Sequence, residues 1–341
     1  MAASLTAPTW ARADDRYEPV PADSFPYGAS LDRTSFSDQV TPCECPESDG
    51  VCRTLCQSDV WRVTGDALFL QRNAPADAVL ITDAINDNEI LNARDVDCGV
   101  HAGFDVSLTR RLGDRFGIEA RYFGVDAWDA RAVEVTTPGS LLEVKSSPPR
   151  FPVAGTHVEA HASSDLHNVE INGHYFVGRR CTLLAGFRYA ELDEDFAIGS
   201  SGAEYPFLYE TTTGNRLSGF QLGTALRLWD RDGPLTVETV VKSGIFANRA
   251  DQRSAWDGGV VLPAVADTTV ETAFIGELGA IGSYRLTDHL SVRGGYRLLW
   301  IDRVALAMAQ VAASDFSELR GIDTTGDAFY HGAFVGLEYV R

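Results

Sequence analysis

Ten stretches of this chain alternate in side-chain character with a period of two, and the connections between them alternate too, short then long. The stretches lie near residues 60–72, 99–111, 116–126, 167–177, 182–192, 216–228, 235–246, 270–285, 290–301 and 329–340. Period two is the mark of a strand with a different environment on each face. In WRVTGDALFLQR, Trp61, Val63, Gly65, Ala67 and Phe69 oppose Arg62, Thr64, Asp66 and Leu68. In HLSVRGGYRLLWI, Leu290, Val292, Tyr296, Leu298 and Trp300 oppose Ser291, Arg293, Gly295 and Arg297. Residues 111–115, 178–181, 229–234 and 286–289 read as tight polar turns, whereas 73–98, 127–164, 197–214, 247–268 and 302–328 read as long loops. A soluble sandwich scatters long loops over both ends. Short turns at one end and long loops at the other is the layout of an outer-membrane barrel, with the short turns periplasmic and the long loops extracellular.

The expected fold is therefore all-β: a closed, antiparallel, up-and-down transmembrane β-barrel over residues 59–341, with ten strands, eight or twelve being the alternatives. An even count brings both ends of the barrel to the short-turn side. The runs, about 10–14 residues each, suit tilted membrane strands, which need about 9–11. No stretch approaches the roughly 18 apolar residues of a membrane helix, but a closed barrel satisfies its backbone in lipid without one. Trp61, Phe116, Tyr175, Trp229, Tyr284, Trp300 and Tyr339 fall towards strand ends, where interfacial girdles form. The segment HGAFVGLEYVR is the closing strand and should pair with WRVTGDALFLQR, leaving no free edge.

Before the barrel, residues 1–13 read either as the remnant of an export signal, with Ala11-Arg12-Ala13 as a small-residue cleavage site, or as an ordinary N-terminus. Residues 14–58 are rich in Pro, Asp, Ser and Cys and form an exposed periplasmic leader. Cys43, Cys45, Cys52 and Cys56 cluster there, and two local disulfides are expected in an oxidising compartment. Their spacing is not that of a zinc ribbon. Cys98 is expected at the outer rim and Cys181 in a periplasmic turn, too far apart to pair.

If the apolar faces meet lipid, the opposite faces meet one another. They carry Arg62, Asp66, Asp105, Glu119, Arg121, Glu170, His174, Arg188, Arg227, Glu238, Lys242, Glu277, Arg293, Arg297 and Glu338. A ten-stranded bore is only slightly wider than the eight-stranded kind that side chains fill. Opposite charges would pair across it, so a packed polar lumen is favoured over a wide channel. An anion-attracting ladder of Arg121, Arg188, Arg293 and Arg297 is the rival, and salt bridging is the preferred reading of those arginines. With 48 acidic against 29 basic residues and a net charge of -19, nucleic acid is not an expected partner. The expected partners are outer-membrane lipid and lipopolysaccharide, with small solutes or ions conceivable through the lumen.

No catalytic signature is present: no G-x-S-x-G, no phosphate loop, no dinucleotide fingerprint. His157 and His161 lack the glutamate placement of H-E-x-x-H, and together with His167 they read as solvated loop polarity. No metal or cofactor is expected. The acidic stretch DAINDNEILNARDVD lacks the glycine of a calcium loop and reads as a solvated loop. RVALAMAQVAASDFSEL suggests a short helix, either folded into the mouth as a plug or lying outside. A barrel enzyme working through loop histidines and a soluble ligand-binding barrel are the alternatives to a structural or narrowly pore-forming role.

RFGIEARYFGVDAWDA, WRVTGDALFLQR, HLSVRGGYRLLWID and HGAFVGLEYVR also resemble segments of a β-barrel outer-membrane protein family abundant in planctomycetes. That family is akin to the pore-forming outer-membrane proteins of the Legionella type. The resemblance spans residues 60–341 and implies an outer-membrane location with a porin-like or structural role. It carries no catalytic residues over. Many outer-membrane barrels end in an aromatic residue, whereas this sequence ends Tyr339-Val340-Arg341.

Overall fold

The computed structural model describes residues 60–341 except 74, 76, 97–98, 137–140, 146–152, 155–156, 202–205, 231–232 and 259. Strands in chain order are β1 (Trp61–Arg72), β2 (Val79–Asp83), β3 (Glu89–Asn92), β4 (Val100–Leu112), β5 (Phe116–Val135), β6 (Leu141–Val144), β7 (Val153–Ala154) and β8 (His157–Val177). They continue with β9 (Cys181–Ser201), β10 (Leu208–Asp230), β11 (Leu235–Gly258), β12 (Val260–Val261), β13 (Val265–Arg285), β14 (Leu290–Val304) and β15 (Gly326–Val340). Ten of these form one closed antiparallel barrel in the order β1-β4-β5-β8-β9-β10-β11-β13-β14-β15. The closing seam runs from Arg62 opposite Val340 to Arg72 opposite Tyr330, as the alternation in both strands requires. Two backbone bonds lock its lower end, Trp61 N–H to the Arg341 carbonyl at 2.7 Å and Arg341 N–H to that of Trp61 at 2.8 Å.

At the short-turn end, Gly113 and Gly178 take left-handed φ values of 69° and 68°, which a side chain would resist. Arg111 braces the first turn, donating from Nε to the Gly113 carbonyl and from Nη2 to that of Asp114. From this end each strand presents apolar side chains outward and polar ones inward. Phe220 (76% exposed), Leu222 (69%) and Ile245 (69%) stand on the outer wall. The seven aromatics expected at strand ends all point outward, and all but Trp300 lie at the short-turn end. The eight steps from Trp61 to Phe69, tilted as barrel strands are, rise roughly 20 Å between Cα atoms, comparable with the roughly 25 Å apolar band of a membrane barrel.

Above that height the two faces exchange character. Outward positions become Asp126, Asp129 and Arg131 on β5, His161 and Asp165 on β8, Glu191 and Asp193 on β9, and Arg249 and Asp251 on β11. Inward positions become Trp128, Leu166, Leu192, Phe196, Ile198, Leu217, Ile275 and Ile301, all buried. The barrel is thus built for an apolar exterior below and a watery exterior above. This continuation corrects the expected strand lengths and loops. β11 runs for 24 residues and β8 for 21, so most of residues 157–164, 197–201, 208–214 and 247–258 are barrel wall. Their alternation is quiet because the inward side uses Ala160, Ala162, Asn248 and Ser254 while the outward side is charged. His157, His161 and His167 likewise sit on β8, not in a loop.

The acidic stretch after β1 is ordered too. β2 and β3 form a hairpin that joins β6 and β7 in a second sheet of order β3-β2-β6-β7. Leu80, Ile81, Leu91, Leu142 and Val144 bury its inner face against the barrel core. The apolar pairs Leu80-Ile81 and Ile90-Leu91 overrode the surrounding acids. The segment after β14 folds into the mouth as a plug. Arg303 turns the chain inward at a bulge, with φ 64°. A 3-10 turn at Ala307–Ala309 and α1 (Gln310–Ala313) follow, with Ala305, Ala307, Gln310 and Val311 buried. Cys43, Cys45, Cys52, Cys56 and Cys98 lie outside the described residues. Cys181 begins β9 beside a short turn as a free thiol.

Candidate functional site

The charged residues expected in the lumen do lie on inward-facing positions, and the barrel gathers the most buried of them into one layer. Asp105, Glu170, Arg188 and Glu277 each sit between outward-pointing neighbours of the apolar wall: Phe104 and Val106, Val169 and Ile171, Phe187 and Tyr189, Gly276 and Leu278. The charge layer therefore stands directly behind the apolar belt.

Contacts in this layer run across the bore as well as along the wall. Arg121 on β5 donates from Nη1 to Glu277 on β13 at 2.8 Å. Those strands are five apart in either direction round the barrel, so the bond spans its full diameter. Arg121 also donates to Glu170 at 2.9 Å and, from Nη2, to Asp105 at 2.8 Å. Arg188 reaches Glu170 at 2.7 Å and Glu277 at 2.5 Å. Lys242 donates to Glu170 at 2.7 Å, and Arg297 pairs with Asp105 at 2.6 Å. Glu170 is fully buried and accepts further bonds from Asn168, Asn172 and Gln221. A buried carboxylate persists as an ion only when its lone pairs are met in this way.

One side of the layer is faced with aromatic rings. The guanidinium of Arg121 lies 5.1 Å from the Phe123 ring centre, and that of Arg297 lies 5.5 Å from Phe123 and 5.6 Å from Phe334. Such stacking holds the flat cations in place while excluding water. Beyond the rings, at the mouth, the interior is the apolar core and the plug. Towards the short turns a cavity of about 150 Å³ opens, lined among others by Arg62, Glu119, His174, Arg227 and Glu238. There the pairs loosen: Arg62 to Glu338 at 3.7 Å, His174 to Glu119 at 3.7 Å, Arg227 to Asp230 at 3.2 Å. Arg293 stands 3.4 Å from Asp66. All four arginines of the candidate ladder are thus ion-paired.

Sequence reasoning missed the neutral amides. Asn168, Asn172 and Gln221 share the inward phase of Glu170 and the other charges, which was the available signal. A second set at the mouth was also missed. Asn215 is fully buried, donating to the Ala305 carbonyl at 2.8 Å while accepting from Ala305 N–H at 2.7 Å. Asn248 holds the Arg303 carbonyl at 3.0 Å, Glu194 accepts from Ala307 N–H at 2.8 Å, and Gln252 donates to the Gly321 carbonyl. These bonds latch the plug to the wall. Within the plug loop, hydrogen bonds from Ser317 and Glu318 hold the exposed Asp315 carboxyl below its ordinary pKa. The histidines on the outer wall pair loosely with carboxylates, His167 to Asp126 at 3.2 Å and His161 to Asp129 at 4.0 Å. No group of residues suited to a metal ion occurs among the described residues.

No protein-family profile matches the chain, and no curated protein matches it. Among solved structures it is similar to the outer membrane protease OmpT from Escherichia coli, at 9% identity and TM-score 0.38, over 83% of this chain and 95% of that one. It is also similar to the translocator domain of the autotransporter NalP from Neisseria meningitidis, at 10% identity and TM-score 0.41, over 83% and 88%. An anion-selective porin from Comamonas acidovorans matches at 7% identity and TM-score 0.20, over 83% and 98%.

Proposed function

We propose that this chain is a bacterial outer-membrane β-barrel of structural, non-enzymatic role, closed across its lumen to solutes. In this reading the short turns face the periplasm and the apolar belt lies in outer-membrane lipid. The charged upper wall stands above the bilayer among lipopolysaccharide headgroups. The exchange of wall character along β5, β8, β9 and β11 supports the membrane placement, and the resemblance to the planctomycete outer-membrane family points the same way. One observation carries the closed lumen: the Arg121–Glu277 bond spans the diameter within a layer in which each of these charged side chains has an ion-pair partner. A hydrated solute would have to break several buried ion pairs, each costing several kcal/mol once a partner is lost. The layer also fixes strand positions, since each chord ties strands that share no backbone ladder.

Planar-bilayer recording of the purified full chain tests this. The expected trace is silent, while the Arg121→Ala/Glu277→Ala double variant shows small discrete openings. Wild-type openings whose conductance scales with salt would refute closure and favour the narrow pore.

A further inference from the structure

The mouth of the barrel holds a second cavity, of about 350 Å³, that shares no lining residue with the one near the short turns. That is enough for a small organic molecule rather than a few waters. Its walls come from three independent parts of the fold. β8 and β9 supply Ser164, Glu194 and Phe196, the plug supplies Leu306 and Met308, and the segment entering the second sheet supplies Ala78.

The charge on these walls is one-sided. Arg72 is committed to Glu194, whose other oxygen accepts from the Ala307 amide. At the edge, Asp323 is half-buried and Asp327 exposed, and among the described residues neither has an ion-pair partner. One Asp323 oxygen is engaged by Thr325. Deeper in, Ser164 is only 3% exposed, yet among the described residues its hydroxyl has no hydrogen-bond partner. A buried hydroxyl without a partner is uncommon, because losing water without replacement costs about 1–3 kcal/mol. Ser164 is among the residues that line a cavity large enough to hold a partner.

We infer that this mouth cavity is a binding site for a small organic cation, a protonated amine on an apolar body that bears one further hydrogen-bonding group. The ammonium sits at the edge against Asp323 and Asp327, where a charged donor meets two otherwise unneutralised carboxylates. The body packs on Phe196, Leu306 and Met308, and the second polar group bonds the Ser164 hydroxyl. Anions are disfavoured because Arg72, the only arginine among the described lining residues, is already paired. This site depends on the plug lying in the mouth and not on whether the lumen conducts.

Tyramine is a probe with all three features. Tyrosol replaces its amine by a neutral hydroxyl, and phenethylamine lacks the phenol. Calorimetric titration of the full-length protein in micelles should give saturable tyramine binding, at least tenfold tighter than tyrosol and several-fold tighter than phenethylamine. The Asp323→Asn/Asp327→Asn variant should erase the preference over tyrosol, and Ser164→Ala the preference over phenethylamine. Ala162→Trp and Ala78→Trp fill the cavity from opposite sides, so that if one does not fold the other still serves; either should abolish binding. Equal binding of tyramine and tyrosol by the wild type would overturn the inference. So would undiminished tyramine binding by a folded cavity-filled variant.

Discussion

A double-mutant cycle on Arg121 and Glu277 would show whether the charge layer is dry. Four cations in it, Arg121, Arg188, Lys242 and Arg297, face three carboxylates, Asp105, Glu170 and Glu277. Glu277→Gln raises the positive excess from one charge to two. The expected loss of stability is about 3–5 kcal/mol, the usual figure for removing one partner of a buried pair. Arg121→Met strands three acceptors and should cost a similar amount. The double variant restores the original excess, so its cost should fall well short of the sum. At an effective dielectric of about 20, unit charges about 4 Å apart attract by roughly 4 kcal/mol, against about 1 in bulk water. A coupling of about 2 kcal/mol or more is therefore expected after relaxation. Urea unfolding in lipid vesicles, followed by tryptophan fluorescence and electrophoretic mobility, supplies the four stabilities. Measurements at 0.1 and 1 M salt add a second criterion, because a buried pair is screened far less than a solvated one. A coupling below about 1 kcal/mol that shrinks further with salt would mean a wet lumen, and the closed-barrel reading would fail.

Four further outcomes follow from the same geometry. Leu222→Arg, in the apolar belt, should cost about 2–4 kcal/mol of folding stability in vesicles. Thr212→Arg, outward on the same strand above the belt, should change it by no more than about 0.5 kcal/mol. A Cβ on Gly336 would stand 2.2 Å from the Gly65 carbonyl oxygen across the seam, whereas one on Gly65 meets nothing within 4 Å. Gly336→Ala should then destabilise the barrel by about 1–3 kcal/mol, with Gly65→Ala close to neutral in the same unfolding assay. Asn215→Ala removes the plug's double latch, and limited proteolysis should cut within residues 305–325 at least tenfold faster while the barrel stays folded. The Asp315 turn contributes stability that is fully present above its ordinary pKa of 3.8 and is lost as pH falls through its lower folded value. Amide exchange at Ser317 and Glu318 should quicken below about pH 3.8, and Ser317→Ala should move that onset upward.

The lower half of the barrel was plain in the sequence because an apolar exterior and a polar lumen give alternate residues opposite chemistry. That contrast marked the ten strands, their inward charges, the short turns and the seam between the first strand and the last. The upper half was hidden for the same reason run in reverse. Where the outer wall turns from apolar to charged, small and amide residues such as Ala160 and Asn248 face inward beside charged neighbours, and the contrast that marks a strand fades. The paired apolar residues of the rim sheet were too few to stand out among acids. Phase told which residues face the lumen, but not which ones meet. Arg121 finds Glu277, 156 positions away, because closure of ten strands puts β5 opposite β13 and strand stagger brings both side chains to one height. The placing of RVALAMAQVAASDFSEL inside the mouth was a tertiary decision too. A short, mildly apolar segment is settled by the partners available, here Asn215, Glu194 and Asn248 on a wall that alone could satisfy its backbone.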